Sequence, residues 1–483
     1  MKRRKKLNNK QLATYASLIA LYLLLTVSCK TLNTNINIPE KQIPASYNNL
    51  SDTTTIADIN WQNYFSDETL HKLIDVGLTN NLDLQMTLQR LEISRSGVRF
   101  ETRNMLPTVA AKGSAGTTKY AKYTQEYAGN VTTYYDGNKI VPNPLHDFYV
   151  GLTASWEVDI WGKLRKKRKA ALANYLASVE GKNFVVSNLV SEIAVAYYTL
   201  LALDNELEII HQTIQKQQEA LTAVEFQKAA GRVTELAVQQ FEAQLLNSKA
   251  LEKEIAQQIT EGENKINFLL GRFPQTIERE KEVLFQDVSQ QISAGIPSQL
   301  LSHRPDIREA EYQLRASKFD LKSAKAAFFP NFNIAAALGF QAFNAQYLFN
   351  PPSVAYSALG GLVAPLINMN ALKLQFKTAK AKQITAMYNY QKAILNAYVE
   401  VANELSNIKN LQEINGLKKR QNDVLIQSVE TSAELYKRGK AEYLEMLITQ
   451  QNSLQTKLEW VEVSKRQKIA IINIYKALGG GWK

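Results

Sequence analysis

Cysteine is nearly absent from the 483-residue chain: Cys29 is the only one, which excludes an intrachain disulfide and a multi-cysteine metal cluster. The four histidines, His71, His146, His211 and His303, stand at no metal-ligand spacing, and His-Glu-x-x-His does not occur. Each reads as a surface histidine. Neither the Gly-x-x-x-x-Gly-Lys-Ser/Thr phosphate loop nor the Gly-x-Ser-x-Gly nucleophile elbow is present. The chain therefore shows no means of hydrolysing ATP or cleaving a substrate, and it reads as a non-enzyme without cofactor or metal. Proline is missing from residues 145–273 and 366–483, so nothing obliges a helix to break there. After the first 27 residues no window holds the roughly 18–20 unbroken apolar residues of a membrane-spanning helix.

Acidic residues are outnumbered, and the formal charge is +12. Six of those positives (Lys2, Arg3, Arg4, Lys5, Lys6 and Lys10) precede an apolar stretch over residues 12–27. This is the layout of a secretory signal. Removing residues 1–28 leaves about +6, which argues against nucleic acid as a partner. Cys29 follows directly, where bacterial lipoproteins carry the cysteine that is lipidated and becomes the new N-terminus. Leu25 lies four residues before it, with Thr26 at the place three before, so an ordinary signal peptide or an uncleaved anchor remains the other reading. Residues 29–60, rich in Asn, Thr and Ser with Pro39 and Pro44, predict an extended tether.

The rest of the chain is duplicated. Residues 82–107 align with 305–330 at a shift of 223, from Leu82-Asp83-Leu84 on Pro305-Asp306-Ile307 to Leu106-Pro107 on Phe329-Pro330. Further on, Gly231 matches Gly439 and Leu270-Gly271 matches Leu478-Gly479, at a shift of 208. The difference falls in residues 117–146, a Tyr, Thr, Asn and Gly-rich loop that is longer in the first repeat. Repeat one is predicted over 61–290, with strands at about 107–117 and 148–158 and a helical hairpin over 160–271. Repeat two covers 291–483, with strands at about 331–343 and 354–366 and a hairpin over 367–479.

Leu189, Ile193, Ala196, Leu200, Leu203, Leu207, Ile210, Ile214, Leu221 and Val224 recur at spacings of four and three, with Gln217 as the polar exception. That is a coiled-coil seam. A helix over 160–226 would run roughly 100 Å at 1.5 Å per residue. The second repeat keeps Val401, Ile408, Leu411 and Leu425 but interrupts them with Glu404, Asn415, Lys418 and Asn422. In 148–158 the residues Phe148, Val150, Leu152, Ala154, Trp156 and Val158 share one face, and Tyr149, Gly151, Thr153, Ser155 and Glu157 the other. In 331–343 Phe332, Ile334, Ala336, Leu338 and Phe340 oppose Asn333, Ala335, Ala337, Gly339 and Gln341. Each run has about the 9–11 residues of a tilted membrane-crossing strand. Four strands cannot close a barrel, because bacterial outer-membrane barrels begin at eight, and an open edge in hydrocarbon leaves backbone groups unpaired. If the strands span a membrane, the chain must oligomerise. A small soluble sheet in a periplasmic coiled-coil scaffold is the competing reading.

Three motifs stand in order on this frame. The first is Trp61, Phe65, Asp67 and Leu70 continuing to Asn80-Asn81-Leu82-Asp83-Leu84, and the second Trp156-Glu157-Val158-Asp159-Ile160-Trp161-Gly162-Lys163-Leu164-Arg165. The third is Arg304-Pro305-Asp306-Ile307 followed by Ala310-Glu311, Leu314, Ala316, Ala324, Ala327 and Phe329-Pro330. The chain resembles the TolC-like outer-membrane efflux family, in its lipoprotein branch of OprM and NodT type, from about Trp61 to Gly479. The resemblance implies a mainly α fold with a β-barrel part, in which a homotrimer closes twelve strands above a periplasmic coiled-coil tunnel. It implies docking on a periplasmic adaptor (membrane fusion) protein and an inner-membrane RND-type transporter, for efflux of drugs or other small molecules. A duct for type I-like protein secretion is the alternative. Localisation follows as the outer membrane, lipid-anchored and extending into the periplasm.

Two helical turns carry the remaining candidates. At Ala230-Gly231-Arg232-Val233-Thr234 and at Arg438-Gly439-Lys440-Ala441-Glu442 a glycine can take the left-handed conformation that ends a helix, and Thr234 is placed to cap the next one. An ordinary hairpin turn is the plain reading. The resemblance implies adaptor-docking tips at Gly231, Arg232, Val233, Thr234, Gly439, Lys440, Ala441 and Glu442. It also implies a pore-constriction acid at Glu445, where symmetric carboxylates would repel one another and favour cations. A second acidic position of the family is Ile448 here.

Overall fold

The computed structural model describes residues 34, 36, 39, 42–47 and 54–483 except 136, 287–292, 366 and 368. The signal segment, Cys29 and half of the predicted tether lie outside the described residues. The elements in question are helices α1 (Glu68–Asn80), α2 (Leu82–Arg103), α3 (Lys163–Ala229), α4 (Glu235–Leu269), α5 (Pro305–Ala326), α6 (Asn370–Lys437) and α7 (Tyr443–Ala477). The long strands are β1 (Thr108–Thr118), β2 (Leu145–Val158), β3 (Asn331–Ala342) and β4 (Val354–Val363). The chain divides into two compact units.

One unit, which includes residues 102–168 and 317–384, holds a four-stranded antiparallel sheet in the order β1-β2-β3-β4. The alternation in 148–158 locates β2 but misses its start, which lies at Leu145 and gives 14 residues. β4 ends at Val363 and not near 366, because Pro365 has no N–H to give the ladder. The loop over 117–146 has structure of its own: a helix over Gln125–Thr132, capped by Thr124, and a ribbon pairing Tyr134–Tyr135 with Lys139–Ile140. It packs on the loop of the second repeat through Tyr135 against Phe343, ring centres 4.7 Å apart.

At the other end of the sheet the return into α3 is fixed by its motif. Asp159 accepts from the Leu164 and Arg165 amides at 2.9 Å each and pairs with the Arg165 Nε at 3.0 Å. These bonds outweigh burial and hold the Asp159 carboxyl below the usual carboxylate range. Gly162 turns the chain at φ +73°, so the helix begins at Lys163 and not at 160. Trp161 donates from Nε1 to the Pro330 carbonyl at 2.8 Å and stacks on Phe329.

The other unit, residues 40–101, 169–316 and 385–483, is built on two helical hairpins, α3–α4 and α6–α7. The predicted seam is its core: Leu189, Ile193, Ala196, Leu200, Leu203, Ile210, Leu221 and Val224 are buried. Contrary to the reading from unbroken runs, α3 does contain a stretch apolar and long enough to cross a membrane. Most of that stretch is buried among other helices, and its apolar character is accounted for by this core. Three of the four interruptions of the second seam, Glu404, Asn415 and Lys418, bond to α7. Asn415 accepts from Trp460 Nε1 at 2.9 Å and donates to Gln467 at 2.6 Å, while Lys418 meets Glu459 at 2.6 Å.

The first motif seals this core. Asp67 caps α1 through the Thr69 and Leu70 amides and accepts from the Tyr197 hydroxyl at 2.7 Å. Tyr64 stacks on Tyr475 at 3.9 Å, and Tyr475, whose hydroxyl donates to the Ile59 carbonyl, is pushed up to about 12 by burial.

One junction occurs twice. Asn81 Nδ2 donates to the Leu269 carbonyl at 2.9 Å, and its Oδ1 accepts from the Leu84 amide. The matching residue of the second repeat is Arg304, which donates to the Ala477 carbonyl at 2.9 Å, to Glu400 at 2.6 Å and through two nitrogens to Asp306. Gly271 and Gly479 follow the two return helices at positive φ, and a Cβ would press Gly271 into Asn80 and Gly479 into the His303 backbone. Each return helix is thus locked to the entry helix of its own repeat by a buried polar side chain and a glycine that admits close approach. Burial works against the Arg304 charge, but Asp306 and Glu400 more than offset it and raise its pKa. Arg304→Ala leaves the buried Ala477 carbonyl without its partner, while Glu400 and Asp306 keep access to water, and is expected to cost about 1.5–3 kcal/mol. Asn81→Ala removes only neutral bonds and is expected to cost about 1–3 kcal/mol. Denaturant unfolding of the purified variants measures both.

Candidate channel and docking sites

The sheet is two-faced across β1, β2 and β3, while on β4 the opposite face also carries Leu359 and Val363. Directly paired residues point the same way, so the registers align Val109, Ala111, Phe148, Val150, Leu152, Trp156, Phe332, Ile334, Leu338, Phe340, Val354, Tyr356 and Leu362 on one face. The opposite face carries Thr108, Lys112, Ser114, Asp147, Thr153, Ser155, Glu157, Asn333, Gln341 and Ser357, with Gln341 donating to Asp147 at 2.8 Å. Leu152, Leu338, Tyr356 and Leu362 of the apolar face are exposed in the single chain. Their apolar area is therefore not covered by this chain, as a face meeting hydrocarbon requires.

Gly151 and Gly339 oppose each other on the polar face, where a Cβ on either would stand 2.5–2.7 Å from the other strand's backbone. The Tyr149 hydroxyl lies over both. The ring covers what two missing side chains leave open. Among the described residues β1 pairs only with β2 and β4 only with β3, so each outer strand presents an unpaired edge.

Both hairpin turns belong to the helical unit and have one geometry. Gly231 at φ +70° donates to the Lys228 carbonyl, and Arg232 donates to Gln227 at 2.9 Å. Gly439 at φ +67° donates to Tyr436, and Lys440 donates to Leu435 at 2.9 Å. This double bond pattern is the Schellman closure of a helix. A Cβ on either glycine would meet nothing within 4 Å, so only the backbone conformation calls for glycine. Gly231, Arg232, Thr234, Gly439, Lys440 and Glu442 are exposed, and Val233 and Ala441 half-buried. Thr234 does occupy the N-cap of α4, but its side chain makes no capping bond, and the predicted cap is absent. Glu442 stands at the same place before α7, also without one.

The two tips pack together through an apolar cluster that joins Leu221, Val224, Ala237 and Phe241 to Tyr436, Tyr443, Met446 and Leu447. Tyr436 also hydrogen-bonds Gln227, from one hairpin to the other. This pairing was not read from the sequence, although the aromatic residues flanking the second turn were visible. Glu445 lies exposed in the first turn of α7, beside the buried Met446. Among the described residues no group of three or more His, Cys, Asp or Glu is placed to hold a metal ion.

The model of the outer membrane efflux protein family matches residues 73–272 and 296–480, one match for each repeat. The cation efflux system protein CusC of Escherichia coli is 26% identical over 423 residues, 88% of each chain. The probable outer membrane lipoprotein SilC of Salmonella typhimurium is 27% identical over 463 residues, 94% of this chain and 96% of its own length. A crystal structure of a membrane protein from Pseudomonas aeruginosa superposes with a TM-score of 0.81 at 25% identity, covering 92% of this chain and 97% of that one. Mainly helical with a four-stranded sheet, the chain has the fold class that its sequence predicts. The chain belongs to the outer membrane efflux protein family: it is an outer-membrane channel component of an efflux system, and not an enzyme.

Proposed function

We propose that three copies of the chain close a twelve-stranded barrel and form a passive exit duct for drugs or other small molecules. The duct is driven by an inner-membrane RND-type transporter through a periplasmic adaptor that docks on the two hairpin tips. Cys29 carries the lipid that holds the N-terminus in the outer membrane. The observation that carries the reading is the sheet itself, apolar on one face, polar on the other and open at both edges. An open edge in hydrocarbon costs several kcal/mol for each unpaired backbone group. A ring of copies removes that cost. The mass of the detergent-solubilised protein and its conductance in planar bilayers test this reading, and a lone chain that stays dissolved without detergent ends it.

The tip geometry separates docking from folding. Asparagine tolerates the left-handed conformation, whereas a β-branched residue there costs roughly 1–2 kcal/mol. Gly231→Val and Gly439→Val are expected to abolish export of a drug while protein level and oligomer persist. Gly231→Asn retains at least part of the export. Thr234→Ala is expected to leave stability within about 0.5 kcal/mol, since its side chain caps nothing. Loss of export in that variant therefore reports the docking surface, and unaltered export in all of them removes the tips from the interface.

Glu445 is proposed to face the pore near its narrowest point. Glu445→Gln is then expected to lower the preference for cations over anions in single-channel recordings. Unchanged selectivity takes Glu445 off the constriction.

A further inference from the structure

Charge is not spread evenly along the chain. In the sheet-bearing unit α3 follows β2, α5 leads into β3 and α6 follows β4. The segments of these helices next to the strands, residues 159–168, 317–326 and 370–384, hold twelve Lys or Arg against two Asp, so 12 minus 2 gives +10. The whole chain after residue 28 carries about +6, which leaves the remainder at about −4. The basic surplus therefore belongs to one place in the molecule, just past the strand ends.

Its lysines stand in rows. On α5, Ser323 Oγ donates to the Lys163 carbonyl of α3 at 3.0 Å, while Leu321, Ala324 and Phe328 pack against Phe376 of α6. At about 100° per residue these contacts take two sides of α5 and leave two faces free. Lys318, Lys322 and Lys325 occupy one face and Asp320 the other. On α6 the residues Lys373, Lys377 and Lys380 repeat the spacing of four and three beside Phe376. Lys318, Lys322, Lys373 and Lys377 are exposed, and among the described residues none of the six lysines has an ion pair. On α3, by contrast, Lys163 pairs with Glu157 and Arg165 with Asp159. The tether tells the two faces apart. Thr34 and Ile36 share a groove with Lys318, Lys322 and Gln383, and Ile36 packs on the cluster of Leu321 and Phe376. Residues 30–39 include no acid, so the tether does not neutralise the rows it lies along. The rows also recur in the duplication: the shift of 223 carries Arg95 and Arg99 onto Lys318 and Lys322, and the shift of 208 carries Arg165 onto Lys373.

Resting on the reading that the sheet's apolar face meets hydrocarbon and that Cys29 is held in the membrane, we propose that the two lysine rows form an outward basic collar. It binds the phosphates of anionic phospholipids in the leaflet that faces the periplasm. The face that carries the tether is the face on the membrane's side of the wall, and it is the face that carries the lysines. The rows begin in the strand-side turn of α5 and α6, directly below the strands. The junction there holds Trp161, half exposed, stacked on Phe329 with its Nε1 bonded to the Pro330 carbonyl, the amphipathic kind of residue that sits at headgroup level. Each row runs about 10 Å along its helix, the scale of one headgroup layer and of the Debye length in physiological salt. Lysine suits this use, since its stem lies along the helix while the ammonium reaches up to a phosphate.

The test reconstitutes the full-length protein in vesicles of equal parts phosphatidylethanolamine and phosphatidylglycerol, extracts it in a neutral detergent and measures the lipid it retains by mass spectrometry. Phosphatidylglycerol is expected to be enriched about threefold or more over phosphatidylethanolamine. Lys318→Gln, Lys322→Gln, Lys373→Gln and Lys377→Gln in one variant abolish that enrichment. A second variant removes the same charge off this face, by Lys112→Gln, Lys119→Gln, Lys122→Gln and Lys382→Gln, and keeps it. The selectivity between cations and anions in planar bilayers is the same for wild type and collar variant, because an outer face lies away from the pore. Enrichment that survives in the collar variant, or that is lost in the second variant instead, overturns the collar. Displacement of the lipid by millimolar inorganic phosphate makes the rows a free-anion site and overturns the lipid assignment. A shift of the collar variant toward cations puts the rows on the pore side and overturns it as well. A wild type that conducts without enriching the lipid defeats the collar alone, whereas a wild type that never conducts defeats the channel reading on which it rests.

Discussion

Backbone hydrogen bonds have no substitute partner in hydrocarbon. That constraint decides what this chain can be by itself. β1 to β4 pair with one another internally, but among the described residues the outward edges of β1 and β4 have no partner strand. The remedy common in soluble sheets, a charged or proline-bearing edge strand facing water, is not taken by β4: its residues Val354 to Val363 include no charge and no proline. Such an edge in water invites aggregation, and in lipid it demands another strand. A single chain is therefore a fraction of a structure, and its edges and its uncovered apolar face are aspects of one incompleteness.

Much of this was legible in the sequence because the relevant signals are periodic. Period-two alternation located β2 and β3, and the seam from Leu189 to Val224 located the core of the helical unit, since both report which face is buried. Ends were less legible, because they depend on single residues. Gly162 and the Asp159 cap start α3 at Lys163, and Pro365 stops β4 early. The Thr234 cap was misread for a related reason. A threonine before a helix fits the capping pattern, but whether its hydroxyl turns inward is a rotamer choice that sequence does not record. The apolar stretch in α3 escaped a search for unbroken runs because Ser187, Ser191 and Glu192 interrupt it. The family resemblance rested on three motifs in order, and their roles explain why they carry it. Each fixes a junction between elements, where few side chains satisfy the geometry.

The tips and Glu445 show the limit of such reading. The structure gives their backbone and exposure, but a docking surface is defined by what binds it. Glycine at 231 and 439 is accounted for by the Schellman turn alone. Any further role belongs to the exposed side chains and to the assembled ring.

The two repeats share a backbone and differ in what fills it. In the first hairpin the seam from Leu189 to Val224 is apolar but for Gln217, which is buried with its side-chain carbonyl unpartnered, as are Gln240 and Ser248 on α4. The second hairpin replaces much of that seam with Asn415, Lys418, Glu459 and Gln467, bonded to one another and to Trp460, and adds the unpartnered Asn422. Burying apolar area stabilises by roughly 25 cal/mol per Å2, while exchanging water for protein partners gains only about 0.5–1.5 kcal/mol per hydrogen bond. Polar pairs lose little when helices part and water enters, whereas an apolar seam loses its whole gain.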